Sequence, residues 1–245
     1  MTESLEYGET WVYESLLGTV PGVRVSSRTA IGLQFLGFEA AILAVAAIYD
    51  LWAAVVPGTV AVVVATVGSW LMLRFSRTVR DLPTPTAYRR LLFGSSIDVV
   101  LGVMAFVALV TYLFVVDPQG SEAGSALLVE LFGVDPPALA IGLALLVLWD
   151  VVYRIGTCWW ASVVGLWRAL TYEFEPEPTR AYQRIDAINV GFAAVQLLLV
   201  PLVADRVVLL VVLVGHVVAV AVVATLSITI QGRRKTMTAV SVDHR

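Results

Sequence analysis

Cysteine occurs once in the chain, at Cys158, so no intramolecular disulfide can form. There are two histidines, His216 and His244, far apart in sequence, and a His/Cys metal site is not expected from them. His-Glu-x-x-His, clustered cysteines and both glycine-rich phosphate loops are absent, so no catalytic residue, metal or cofactor is assigned. Lysine also occurs once, at Lys235, and arginine supplies the other fifteen positive charges. Charge of either sign is scarce, at 14% of residues against about 25% in soluble domains. The N-terminus carries Glu3, Glu6, Glu9 and Glu14 with no basic residue before Arg24. A secretory leader needs a positive start, an apolar stretch and a small-residue cleavage site, so the first apolar helix is expected to be retained.

What is abundant is apolar. Hydrophobic residues make up 59% of 245 positions, more than one soluble core can hide. Several stretches reach the roughly 20 residues that cross a hydrocarbon layer of about 30 Å. Spans are expected at 30–53, 57–73, 91–116, 137–170, 185–204 and 207–230. The fourth exceeds one crossing at about 1.5 Å per residue, so its end past Trp159 and Trp160 should leave the hydrocarbon. Gly232 is expected to stop the last helix, and Ser125 to Phe132 to form a short turn of helix in an acidic loop.

With both ends inside, fourteen of the sixteen Lys and Arg residues fall on the cytoplasmic side; Arg206 lies opposite and Arg154 within a span. That asymmetry predicts six spans with N and C termini in the cytoplasm, in the cell membrane. The expected organisation is a cytoplasmic or interfacial segment over 1–29, a six-helix domain over 30–231 and a basic tail over 232–245. The fold class is an all-α integral membrane bundle, packed through small residues such as Gly37, Gly102, Gly142 and Gly191. Its partner is the lipid bilayer. The basic linkers are explained by topology, so nucleic acid is not an expected partner, and homo-oligomerisation is left open.

Ionisable groups inside a bilayer are costly and are functional candidates by default. Measured at about 1.5 Å per residue from the cytoplasmic boundary, Glu39 falls about 12–14 Å in, and Asp98 and Asp150 about 10 Å. Arg154 follows Asp150 by four residues and shares its helix face. Glu39, Asp98, Asp150 and Arg154 therefore form a candidate ion- or proton-binding layer. Gln196 and His216, near the midplane of the fifth and sixth spans, are secondary candidates that could bond to each other. Trp11, Trp149, Trp159, Trp160 and Trp167 suit an interfacial belt and packing surface. Gly94-Ser95-Ser96 and His216 do not amount to a serine–histidine pair, because their estimated depths differ by about 5–7 Å.

Two segments are alike: Pro83-Thr84-Pro85-Thr86-Ala87-Tyr88-Arg89-Arg90 and Pro176-Glu177-Pro178-Thr179-Arg180-Ala181-Tyr182-Gln183-Arg184. They are read either as a trace of two parallel repeats or as the shared needs of helices entering a membrane: a Thr cap, an interfacial Tyr and an Arg. The stretches Gly8-Glu9-Thr10-Trp11-Val12-Tyr13-Glu14, Tyr88-Arg89-Arg90-Leu91-Leu92-Phe93-Gly94-Ser95-Ser96 and Leu148-Trp149-Asp150-Val151-Val152-Tyr153-Arg154 resemble an uncharacterised multi-pass family of halophilic archaea. The resemblance implies no activity. Two functions follow as expectations: ion- or proton-coupled transport through the carboxylate layer, or a non-catalytic structural or regulatory role with the carboxylates serving packing. An enzyme is not favoured.

Overall fold

The computed structural model describes residues 27–120 and 126–243, and among them every regular element is helical. Expectations for residues 1–26, including Trp11 and most of the cytoplasmic or interfacial segment, lie outside this range. Helix α1 covers Ser27–Tyr49 and α2 Val55–Asp81. Helix α3 covers Thr86–Phe93, α4 Ile97–Thr111, α5 Asp117–Gly120 and α6 Leu127–Phe132. Helix α7 covers Ala138–Thr171, α8 Pro176–Val195, α9 Val200–Val203 and α10 Val207–Asp243. Among the described residues six helical stretches are long and apolar enough to cross a membrane: Arg28–Tyr49, Trp52–Asp81, Thr86–Gly120, Ala138–Thr171, Pro176–Val203 and Val207–Arg233. Large apolar side chains such as Leu33, Leu36, Met104, Val107, Val211 and Val212 stand exposed, while Asp98, Asp150, Arg154, Arg168 and Asp186 are buried. That inside-out arrangement costs nothing in lipid and would aggregate in water.

The boundaries have local causes. Helix α1 ends because Asp50 adopts φ 58°, and the Leu51 N–H reaches back 3.0 Å to the Ala46 carbonyl, the six-to-one bond of a Schellman stop. The third span is not one continuous helix. Ser96 takes φ 56°, which side chains rarely adopt, and Ser95 Oγ turns back to the Leu91 carbonyl at 2.7 Å. The chain therefore breaks after α3, an amphipathic turn burying Tyr88, Leu92 and Phe93, before α4 begins. A π-turn over Tyr112–Val116 then leads into Asp117, whose buried carboxylate accepts the Leu127 N–H at 2.7 Å and caps α6. Helix α8 starts with Pro176, well before the expected 185, because proline is favoured in the first turn. Gly232 does not stop the last helix, which continues to Asp243; an isolated glycine costs only about 1 kcal/mol in a helix.

The chain divides into two compact units, one built from Val25–Ser69 and Asp98–Thr157, the other including Trp70–Ile97 and Cys158–Arg245. In the first, α4 and α7 meet backbone to backbone. A Cβ on Gly156 would come 3.1 Å from the Gly102 nitrogen, and one on Gly102 would come 3.2 Å from the Tyr153 ring. Of the four glycines expected at helix contacts, Gly102 alone is one. A Cβ on Gly37, Gly142 or Gly191 would meet nothing within 4 Å. The missed partner is Gly156, and the pair shows how small residues let helices close without lipid between them. In the second unit, Cys158, Phe192, Ala193 and Val220 form an apolar cluster that Leu71, Trp159 and Val217 cover.

Substituting valine for Gly156 should cost about 1–3 kcal/mol, since the atom it strikes is backbone and cannot swing away. Gly142→Ala should be close to neutral. Thermal unfolding of the two purified variants in one detergent checks the contrast, and equal losses would contradict the close crossing.

Candidate functional site

The expected carboxylates all lie in the first unit, and each takes its own partner. Asp150, on α7, is 8% exposed and receives Arg154 Nη2 at 2.6 Å and Gln34 Nε2 of α1 at 2.8 Å. Arg154 is itself buried, so the helical i,i+4 spacing sets a charge pair inside the bundle. Asp98 sits in the first turn of α4 and accepts the Tyr153 hydroxyl at 2.9 Å. That tyrosine is held by Trp149 stacked on its ring at 6.0 Å, and Phe106 meets Trp149 edge-on at 5.4 Å. Glu39 accepts the Thr59 hydroxyl of α2 at 2.7 Å through Oε1, while its buried Oε2 has no hydrogen-bond partner. A shallow cleft joins Gln34, Thr66 and Asp150 among Phe38, Val62 and Val147. The Thr66 hydroxyl in it is buried without a partner. No hydrogen bond joins one carboxylate to another.

Gln196 is fully buried where the fifth span tightens from α-helix into a 3₁₀ turn over Gln196–Leu199. Neither amide atom reaches a full-strength partner; the Cys158 thiol beside it is a weak one. His216 Nε2 is also buried and unpartnered, and Gln196 and His216 do not bond to each other. Beside them Cys158 faces the Asn189 carbonyl at 3.7 Å, and the Asn189 amide bonds the Cys158 carbonyl at 2.9 Å and Ser162 Oγ at 2.6 Å.

The densest polar cluster lies in the second unit and was not among the sequence candidates. Arg168, near the end of α7, is fully buried. Its Nη2 bonds both oxygens of Asp186 on α8, at 2.9 and 2.7 Å, and its Nη1 bonds the Tyr88 hydroxyl at 2.9 Å. Asp186 Oδ2 also accepts Ser227 Oγ at 2.7 Å and Gln231 Nε2 at 3.0 Å, both from α10. The guanidinium lies 5.2 Å from the Tyr88 ring centroid and 4.3 Å from that of Tyr182, so two aromatic faces add to the charge pair. Gly165 makes this possible, since a Cβ there would come 3.0 Å from Asp186 Oδ1. The third, fourth, fifth and sixth spans all contribute a side chain.

Arg168 falls in the part of the fourth helix expected to leave the hydrocarbon, and Asp186 is the second residue of the expected fifth span, so neither stands out in the sequence as a buried charge. Helix α8 starts earlier, which carries Asp186 inward by nearly three turns from the helix start. One signal was available. Tyr88 and Tyr182 are the tyrosines of the two similar Pro-containing segments, and they converge on one arginine with rings 6.1 Å apart. Thr84 of the first segment meets the Tyr182 hydroxyl of the second at 3.0 Å.

The chain belongs to a family of unknown function, DUF7530, whose model matches residues 6–227. No curated protein and no solved structure matches it.

Removing one member of the Arg168–Asp186 pair strands the other in an apolar core, so Arg168→Met or Asp186→Leu should each cost about 3–5 kcal/mol. The double variant should lose much less than the sum, which a double-mutant cycle in thermal or chemical unfolding reads directly. Gln196→Leu should behave oppositely and gain about 1–3 kcal/mol, because it removes a buried amide that is poorly paired. A destabilised Gln196→Leu would show that the amide is better satisfied than its neighbours indicate.

Proposed function

We propose that this member of the DUF7530 family is a non-catalytic structural or regulatory membrane protein whose embedded charges tie helices together. The observation that carries this reading is the separate engagement of the embedded aspartates. Asp150 is held by Arg154 and Gln34, Asp98 by Tyr153, and Asp186 by Arg168, Ser227 and Gln231. A transported ion needs ligands that converge on it and release it; carboxylates already bonded to fixed neighbours supply neither. The arginine and lysine asymmetry supports both termini in the cytoplasm of a cell membrane, with 1–29 as a cytoplasmic or interfacial segment and 232–245 as a basic tail. Arginine in place of lysine and acidic loops fit a halophilic source.

A second reading, ion- or proton-coupled transport, draws on the first unit. The buried Thr66 hydroxyl beside Asp150 and the buried second oxygen of Glu39 are polar atoms without partners, the sort of group a proton or cation site leaves available. Asp150, Arg154, Glu39 and Asp98 are the residues that would carry it, with Gln196 and His216 as secondary candidates.

Proton and sodium flux in proteoliposomes separates the two. The structural reading expects no flux above empty vesicles for the unmodified chain, and lower unfolding temperatures for Asp98→Asn and Asp150→Asn. Flux that disappears in folded Asp150→Asn protein would replace it with the transport reading.

A further inference from the structure

The span Trp52–Asp81 contains 30 residues, about 45 Å of helix, against a hydrocarbon layer of about 30 Å. Its charges, Arg74, Arg77, Arg80 and Asp81, all fall within its last eight residues, so the excess length is assigned to that end, at headgroup level. Trp70, Arg74 and Arg77 occupy one face of that end at spacings of four and three, and all three are exposed. The Arg74 guanidinium carbon lies 5.6 Å from the Trp70 ring centroid. This cation–π contact holds the Arg74 guanidinium beside the indole, and a guanidinium is a group suited to binding a phosphate. Exposed Asp81 follows Arg77 by four residues, so the face carries one net positive charge.

We propose that the outer face of α2 at Trp70, Arg74 and Arg77 binds the headgroup of an anionic phospholipid. The match is in sign and in depth: a singly charged phosphodiester meets two exposed guanidiniums beside an interfacial indole. Self-association fits this face less well, because a symmetric pairing would set its arginines against each other. The site is independent of whether the buried carboxylates move ions, and rests on the chain spanning a bilayer.

The test uses the full chain in phosphatidylcholine nanodiscs with rising phosphatidylglycerol, reading retained phosphatidylglycerol by native mass spectrometry. With about fivefold per arginine expected for charges near a membrane surface, R74Q/R77Q should weaken apparent affinity roughly 25-fold. The exposed arginines of α8 serve as the comparison, and R180Q/R184Q should leave most of the binding in place. Unchanged retention in R74Q/R77Q, or an equal loss in R180Q/R184Q, would overturn the assignment to this face. Displacement by millimolar inorganic phosphate would overturn it in favour of a simple anion site. A dimer lost in R74Q/R77Q, with no lipid retained, would reassign the face to self-association.

Discussion

Arg168 reaches the interior of the second unit fully buried, and the surrounding helices supply partners to both of its terminal nitrogens, leaving Nε alone without one. Two bonds go to Asp186, one to Tyr88, and two tyrosine rings cover its faces. Asp186 in turn draws Ser227 and Gln231 from the last helix. A charge pair of this kind adds little net stability over an apolar substitute, but it tolerates few alternatives. Hydrophobic side chains can slide past one another in lipid at small cost, whereas a guanidinium and a carboxylate must find each other. On the structural reading proposed above, the pair would select which helices meet and in what register.

The same constraint shapes the first unit with weaker means. Asp150 and Arg154 satisfy each other along one helix, and Gln34 ties that pair to α1. Asp98 uses a neutral hydroxyl instead, and its donor Tyr153 packs on Gly102 where α4 and α7 cross. Polar bonding and close backbone approach are therefore the same contact seen twice. Tyr153 reaches Asp98 because Gly102 and Gly156 allow the helices to touch, and the hydrogen bond holds the crossing once made. Gln196 departs from this economy, being buried where its helix tightens and lacking a strong partner.

The outer surface obeys the complementary rule. Valine, leucine and methionine face outward because lipid accepts them, and the few exposed cations collect where helices overrun the hydrocarbon. Trp70 with Arg74 is one such pair, the guanidinium carbon 5.6 Å from the indole centroid near the charged end of its helix.

Hydropathy alone determined the number of spans and the all-helical class, because crossing a hydrocarbon layer needs about twenty apolar residues and a backbone that satisfies itself. The Asp150–Arg154 pair was equally legible, since four residues is nearly one helical turn and the partners sit on the same strip of sequence. Which helices touch was not legible. Gly102 and Gly156 are 54 positions apart, and nothing local distinguishes them from Gly37 or Gly142, which meet open space. Arg168 and Asp186 lie near the ends of the expected spans, where a charge is ordinary, and only the early start of α8 and the approach of Tyr88 and Tyr182 show them enclosed. Local periodicity encodes what a residue does to its own helix. Pairing across helices depends on crossing points that only tertiary packing sets, and in this protein the buried charges are matched there.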